Sequence, residues 1–147
     1  MAPTLDSPAQ SLFIPVSSGL FTGSASADLK STLVLGASDN PNRYSFRTVN
    51  RLRDKHHPVT AIGGRKARVA DLEILTGHPE LEGVATVTVY LNRENQREYY
   101  DYILSLHPKR IIFNPGAENP ELSLLAKTRG IESVEACTLV LLSTGQF

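Results

Sequence analysis

Short apolar runs alternate with amphipathic segments along this chain, and that alternation constrains the fold more than any single residue. Thr32-Leu33-Val34-Leu35 closes on Gly36 and reads as a buried strand. From Arg43 to Lys55, Phe46, Val49 and Leu52 recur on one helical face, and Pro58 after His56-His57 stops that helix. Val59 to Ile62 is a second strand, ended by Gly63-Gly64. Val69 to Leu75 reads as an edge strand and Gly77-His78-Pro79 as a turn. Val84 to Leu91 is rich in β-branched residues and predicts a strand. Asn92 is placed to cap a helix carrying Tyr99, Tyr102, Ile103 and Leu106, and Pro108 ends it. Arg110 to Phe113 is a further strand. The next helix has Asn119 at its N-cap, Pro120 at its first position and Gly130 past its end. A last strand is expected from about Ile131 to Val134.

Strand and helix thus repeat in turn, and the strands lack strict polar alternation. Strands buried on both faces have this pattern. The expectation is an α/β fold with a mostly parallel sheet of about five strands and helices on both sides. Open sheets of this class bind ligands beyond the carboxyl ends of their strands. That rule selects four loops: Gly36 to Tyr44, Gly63 to Arg68, Leu91 to Glu94 and Asn114 to Asn119.

The N-terminal stretch is different in kind. Residues 1–28 hold no Lys or Arg, eight Ser/Thr and three Pro, with one short apolar patch. This matches neither a secretory signal nor a transit peptide. Residues 1–29 therefore read as a disordered or poorly ordered tail, and residues 30–147 as the domain. Fifteen basic against fifteen acidic residues give no net charge, which argues against a nucleic-acid binder. No apolar run approaches the ~18 residues of a membrane span. A single cysteine excludes an internal disulfide framework and fits a cytoplasmic setting.

The first loop, Gly36-Ala37-Ser38-Asp39-Asn40-Pro41-Asn42-Arg43-Tyr44-Ser45, joins a strand to a helix. A helix start offers unpaired N–H groups and partial positive charge to a phosphate, and Arg43 lies beside it. The loop is neither a G-x-G-x-x-G fingerprint nor a Walker A loop. Charge is nevertheless polarised: Arg43 to Arg68 contains eight basic residues and one acid, Asp54. Arg51, Arg53 and Lys55 read as a solvated helix face. Arg65 and Lys66 follow the second strand, where an NAD-binding protein carries an acid for the ribose hydroxyl. Two cations there suit a nucleotide with an extra ribose phosphate, and both NADP and coenzyme A qualify.

Taken together, the Gly36–Ser45 loop, Asn114-Pro115-Gly116-Ala117-Glu118-Asn119 after a later strand, and Cys137 near the end resemble the small stand-alone CoA-binding-domain proteins. These are similar to the CoA-binding domain of the succinyl-CoA synthetase α subunit. The resemblance covers about residues 30–147. It implies a Rossmann-like three-layer fold with CoA or an acyl-CoA across the carboxyl edge of the sheet. By position, Gly36, Ala37, Ser38 and Arg43 would approach the pyrophosphate, and Asn40, Pro41 and Tyr44 of the same loop are further cofactor-binding candidates. Gly63, Arg65 and Lys66 would lie near the adenosine and its 3′-phosphate. Leu91 and Asn92 would flank the ligand, and Asn114, Pro115 and Gly116 would line the side toward the pantetheine arm. The chain departs from the family pattern at Gly63-Gly64, where Asn-Pro is frequent, and at Ala136.

Other chemistry is less well supported by the residues. Cys137 reads first as a small buried residue near a strand end, with pairing to the thiol of CoA as the alternative. His56, His57 and His107 stand at helix ends beside Pro and lack metal-helix spacing. Glu118 suits positioning or capping better than general-base work. The chain has no room for the phosphohistidine and grasp domains of an acyl-CoA ligase, so the expectation is non-catalytic binding of a small nucleotide ligand, with regulation as one use of it. A homodimer is left open. The alternatives are an NADP-dependent oxidoreductase and an interaction protein with a vestigial nucleotide pocket.

Overall fold

The computed structural model describes residues 31–147; the tail assigned to residues 1–29 lies outside the described residues. Within the described part, the elements are β1 (Thr32–Leu35), α1 (Tyr44–Asp54), β2 (Val59–Ile62), β3 (Ala67–Val69), β4 (Leu72–Leu75) and β5 (Thr86–Val89). They continue with α2 (Arg93–Gln96), a 3₁₀ turn (Arg97–Tyr99), α3 (Tyr100–Ser105), β6 (Arg110–Phe113), α4 (Pro120–Thr128), β7 (Glu132–Glu135) and α5 (Thr138–Ser143). The sheet runs β3-β4-β2-β1-β5-β6-β7, parallel except for the β3–β4 pair. It is the α/β, Rossmann-like, mostly parallel sheet that the strand-helix alternation predicts.

Burial on both faces follows from the side-chain alternation of the central strands. Leu33 and Leu35 of β1 join Ile62, Val87, Val89, Ile111 and Phe113 in one apolar cluster, covered by Tyr99, Ile103, Leu104, Leu122 and Ala126 from the 3₁₀ turn, α3 and α4. Val34, Ala61 and Ile74 face the other way, under Val49 and Leu52 of α1 and Leu142 of α5. All four residues of β1 and of β5 are buried, which is why these segments read as unbroken apolar or β-branched runs.

Seven strands replace the expected five or so. The segment read as one edge strand from Val69 to Leu75 is a hairpin, with Arg68 opposite Glu73 and Val69 opposite Leu72. Its turn is Ala70-Asp71, and Ala70 takes φ 56°. Left-handed turn positions are ordinarily marked by Gly, Asn or Asp, so an alanine there hides the hairpin from the sequence. The turn is held from outside: Arg53 of α1 donates from Nε and Nη2 to both carboxylate oxygens of Asp71, at 2.9 and 2.8 Å. Arg53 also donates to His57 O at 2.6 Å, so it is not the solvated cation its neighbours suggest. The helix expected after Asn92 is broken by the 3₁₀ turn, although the stripe Tyr99, Tyr102, Ile103 and Leu106 does pack on the core. Sequence reading placed the last strand about one residue early and assigned no element to α5.

Candidate functional site

The strand order reverses beside β1: the chain goes from β1 to β2 on one side and returns to β5 on the other. The loops leaving β1, β2, β5 and β6 therefore meet at one edge of the sheet. Their contact is close enough to dictate residue types. The N–H groups of Gly36 and Ala37 both donate to Ile62 O, at 2.8 and 2.9 Å. Gly36 takes φ 97°, and a Cβ there would meet Leu91 N at 3.1 Å. At Gly63 a Cβ would lie 2.4 Å from the carbonyl oxygen of Ala37. No side chain fits at that crossing.

The β1–α1 loop is built from its own side chains. Asn40 N–H donates to Ser38 Oγ at 3.0 Å, and Asn42 N–H to Asn40 Oδ1 at 2.9 Å. Short polar side chains of this kind stabilise turns by bonding the backbone two residues on. Pro41, Asn42, Arg43 and Tyr44 are exposed. Arg43 is the N-cap of α1 and makes no side-chain cap bond, and no acid stands in the first turn. The amides opening this eleven-residue helix therefore take no cap bond from the Arg43 side chain, and a helix start of that kind suits an anion.

The loops after β1 and β2 line a cavity of about 290 Å³ through Ala37, Ser38, Asp39, Gly64 and Arg65, with Ala67 and Ile74 from the strands beyond. Arg65 Nη2 meets Asp39 Oδ1 across it at 2.7 Å. A second cavity, about 790 Å³, abuts the first at Ala67 and Ile74 and is lined also by Lys66, Arg68, Leu75, Thr76 and Pro79. Arg65 lines the first cavity and Lys66 the second, across the bend at Gly64-Arg65.

On the other flank, Leu91 is half-buried against Gly36, and Asn92 caps α2 through Oδ1, accepting from Asn95 N–H at 2.9 Å. Asn114 is 1% exposed. Its Nδ2 donates to Thr88 Oγ1 at 2.7 Å and Val89 O at 2.9 Å, and its Oδ1 accepts from Thr138 N–H at 2.8 Å. The amide of Asn114 is thus occupied inside the protein, while Pro115 and Gly116 remain exposed on the loop. Glu118 accepts from Gly116 N–H at 3.0 Å and so holds the loop, while Asn119 caps α4. Sequence reasoning missed Gln96. Fully buried, it donates to Leu91 O and Ala117 O, both at 2.8 Å, and accepts from Asn119 Nδ2 at 2.8 Å. One side chain thereby ties the β5 loop to the β6 loop, and a lone glutamine in a polar helix carries no local signal of such a task.

Beneath the loops, Tyr90 bonds Thr48 through its hydroxyl, and Thr88 Oγ1 lies 2.8 Å from Thr138 Oγ1. Burial pushes the Tyr90 phenol above its ordinary pKa, partly offset by the threonine hydroxyls around it. Cys137 is half-buried at the start of α5, less enclosed than a strand-end core residue. Among the described residues no group of three or more His, Cys, Asp or Glu stands together for a metal ion. No described helix is long and apolar enough to cross a membrane. His78 stacks on Tyr102 with ring centroids 5.0 Å apart, and Tyr102 donates to Pro79 O at 2.6 Å, so this histidine anchors its turn.

The sequence profile of the CoA binding domain matches residues 30–143. The chain belongs to the CoA binding domain family. A solved structure described as an uncharacterized protein shares 48% identity, with a TM-score of 0.79 over 81% of this chain and 98% of the other. The protein cell-free ID.343 from Thermus thermophilus superposes with a TM-score of 0.71 at 21% identity, covering 83% of this chain and 93% of its own. A hypothetical protein from Pyrococcus horikoshii OT3 gives 0.72 at 17% identity, over 81% and 85%. The last two bear on the fold alone. No curated protein matches the chain. Family membership agrees with the loops just described: the residues that carried the resemblance, from Gly36 to Ser45 and from Asn114 to Asn119, leave β1 and β6, the parallel strands on either side of β5, at the same edge of the sheet.

Proposed function

We propose that this protein binds coenzyme A or an acyl-CoA across the carboxyl edge of its sheet. The observation that carries the reading is the cavity that the loops after β1 and β2 line with Ser38 and Arg65, the first of these loops leading on to an α1 start that Arg43 does not cap. A pyrophosphate seated on the α1 amides, with Gly36, Ala37, Ser38 and Arg43 around it, uses unpaired donors and the helix dipole together. Arg65 then faces the adenosine 3′-phosphate, with Gly63 allowing the two loops to close-pack beneath it. Leu91 and Asn92 flank the ligand, and Pro115 and Gly116 border the pantetheine arm. Asn40, Pro41 and Tyr44 shape the turn over the pyrophosphate rather than bonding it, since Asn40 already holds the loop backbone. Asn114 contributes by fixing the β6 loop from within.

The polar groups on these loops are engaged in holding them: Glu118 on Gly116, Asn114 on Thr138, Gln96 on Leu91 and Ala117. This supports binding of the thioester carrier without chemistry on the acyl group. Thermal unfolding with added ligand tests the reading. CoA at 100 times its dissociation constant should add about 2.7 kcal/mol of stability. Stabilisation by NADP with none by CoA would overturn it.

A further inference from the structure

Arg65 is already paired in the free protein. Its Nη2 lies 2.7 Å from Asp39 Oδ1, and the two residues come from loops on neighbouring strands, 26 positions apart in sequence. Both side chains reach solvent, Arg65 72% and Asp39 36% exposed. The contact is a single bond, in contrast to the two-pronged pair that Arg53 makes with Asp71. Both residues line the same cavity, with Ala37, Ser38 and Gly64.

On the CoA reading above, we propose that Asp39 is an internal competitor for Arg65, so that a ribose phosphate binds by exchange: the guanidinium leaves the Asp39 carboxylate and takes the phosphate monoester. An exposed single-bond ion pair is held weakly, whereas a phosphate monoester brings more charge and three acceptor oxygens. The exchange is therefore favourable but discounted, because it breaks one ion pair and leaves a carboxylate near the incoming anion. A nucleotide lacking the ribose phosphate leaves the Asp39–Arg65 pair intact. Asp39 in this way sets how strongly the protein distinguishes a ribose-phosphorylated nucleotide from its dephosphorylated form, while keeping Arg65 extended across the cleft when no ligand is present.

Titration calorimetry with CoA and with dephospho-CoA, on the full chain and on Asp39→Asn and Arg65→Gln, tests this. Both positions are exposed, so the fold is expected to survive either change. Asp39→Asn should tighten CoA binding by about two- to fivefold, the scale of an exposed ion pair, and leave dephospho-CoA unchanged. The CoA to dephospho-CoA affinity ratio should vary little with salt in the parent protein, where one pair replaces another. It should fall with salt in Asp39→Asn, where a new pair is made. Arg65→Gln should bring the two ligands to equal affinity. Weaker CoA binding in Asp39→Asn would mean that the carboxylate positions Arg65, and equal gains for both ligands would mean general charge relief; either overturns the exchange. CoA binding indifferent to Asp39→Asn sinks the exchange alone, whereas failure of both ligands to bind any of the three proteins sinks it together with the CoA reading.

Discussion

Asn114 Oδ1 accepts the backbone N–H of Thr138 at 2.8 Å, and through that bond the loop after β6 starts the helix that follows β7. Thr138 is fully buried and its hydroxyl also meets Thr88, while Asn114 Nδ2 reaches Thr88 Oγ1 and Val89 O. Asn114→Ala removes one partner from each of these groups and leaves a buried N–H without an acceptor. The expected cost is about 2–3 kcal/mol, read from urea denaturation. Asn114→Asp keeps the acceptor for Thr138 but sets a carboxylate against the Val89 carbonyl, so it should not restore stability.

Gly63 is required by contact rather than by backbone conformation. Its Cβ position lies 2.4 Å from the Ala37 carbonyl oxygen, a backbone atom that moves only with the whole β1–α1 loop. Gly63→Ala should destabilise by about 1–3 kcal/mol. Because Ala37 lines the cavity beside Arg65, the stabilisation conferred by CoA should also shrink relative to the parent protein, which parallel melts with and without ligand will measure.

Gln96 offers a contrasting case, with no space problem and three hydrogen bonds. Gln96→Leu leaves the Leu91 and Ala117 carbonyls and the Asn119 amide short of a partner. A loss of about 3 kcal/mol is expected in chemical denaturation. Amide hydrogen exchange should quicken at residues 91–92 and 114–117, the two loops this side chain joins, before it quickens in β1.

The Arg53–Asp71 pair makes the hairpin turn sensitive to acid. The Arg53 guanidinium holds the Asp71 carboxyl below its ordinary range, and its own pKa is raised in return. A depressed carboxylate contributes stability above its unfolded-state pKa and loses it as pH falls through the lower folded value. Arg53 stays charged throughout. Asp71→Asn should therefore melt slightly below the parent protein at about pH 7, and the gap should close progressively as the pH falls below the ordinary carboxylate range. The effect should be small because Asp71 is well exposed. A gap that persists unchanged in acid would contradict the assignment.

What could be read from residues alone is what local chemistry determines. The order of strands and helices followed from apolar runs such as Thr32–Leu35 and from the punctuation at Pro58, Asn92, Pro108 and Asn119-Pro120. Gly130 marked the end of α4. The parallel sheet, and with it the edge where four loops gather, followed from that order. Each of these signals lies within a few residues of the feature it specifies, and so it survives in a linear reading.

Tertiary structure decided which polar groups remain available on that edge. Asn114 looks like a ligand residue in sequence, and its amide is consumed by Thr88, Val89 and Thr138. Arg65 and Lys66 are neighbours in sequence, yet one lines the cavity with Asp39 and the other the cavity with Thr76 and Pro79. The hairpin at Ala70 depends on Arg53 and the short helix after Cys137 depends on Asn114, partners 18 and 24 residues from the groups they bond. A buried donor or acceptor takes whichever partner the packed chain brings within about 3 Å, and that choice is made between segments distant in sequence, where no local pattern records it.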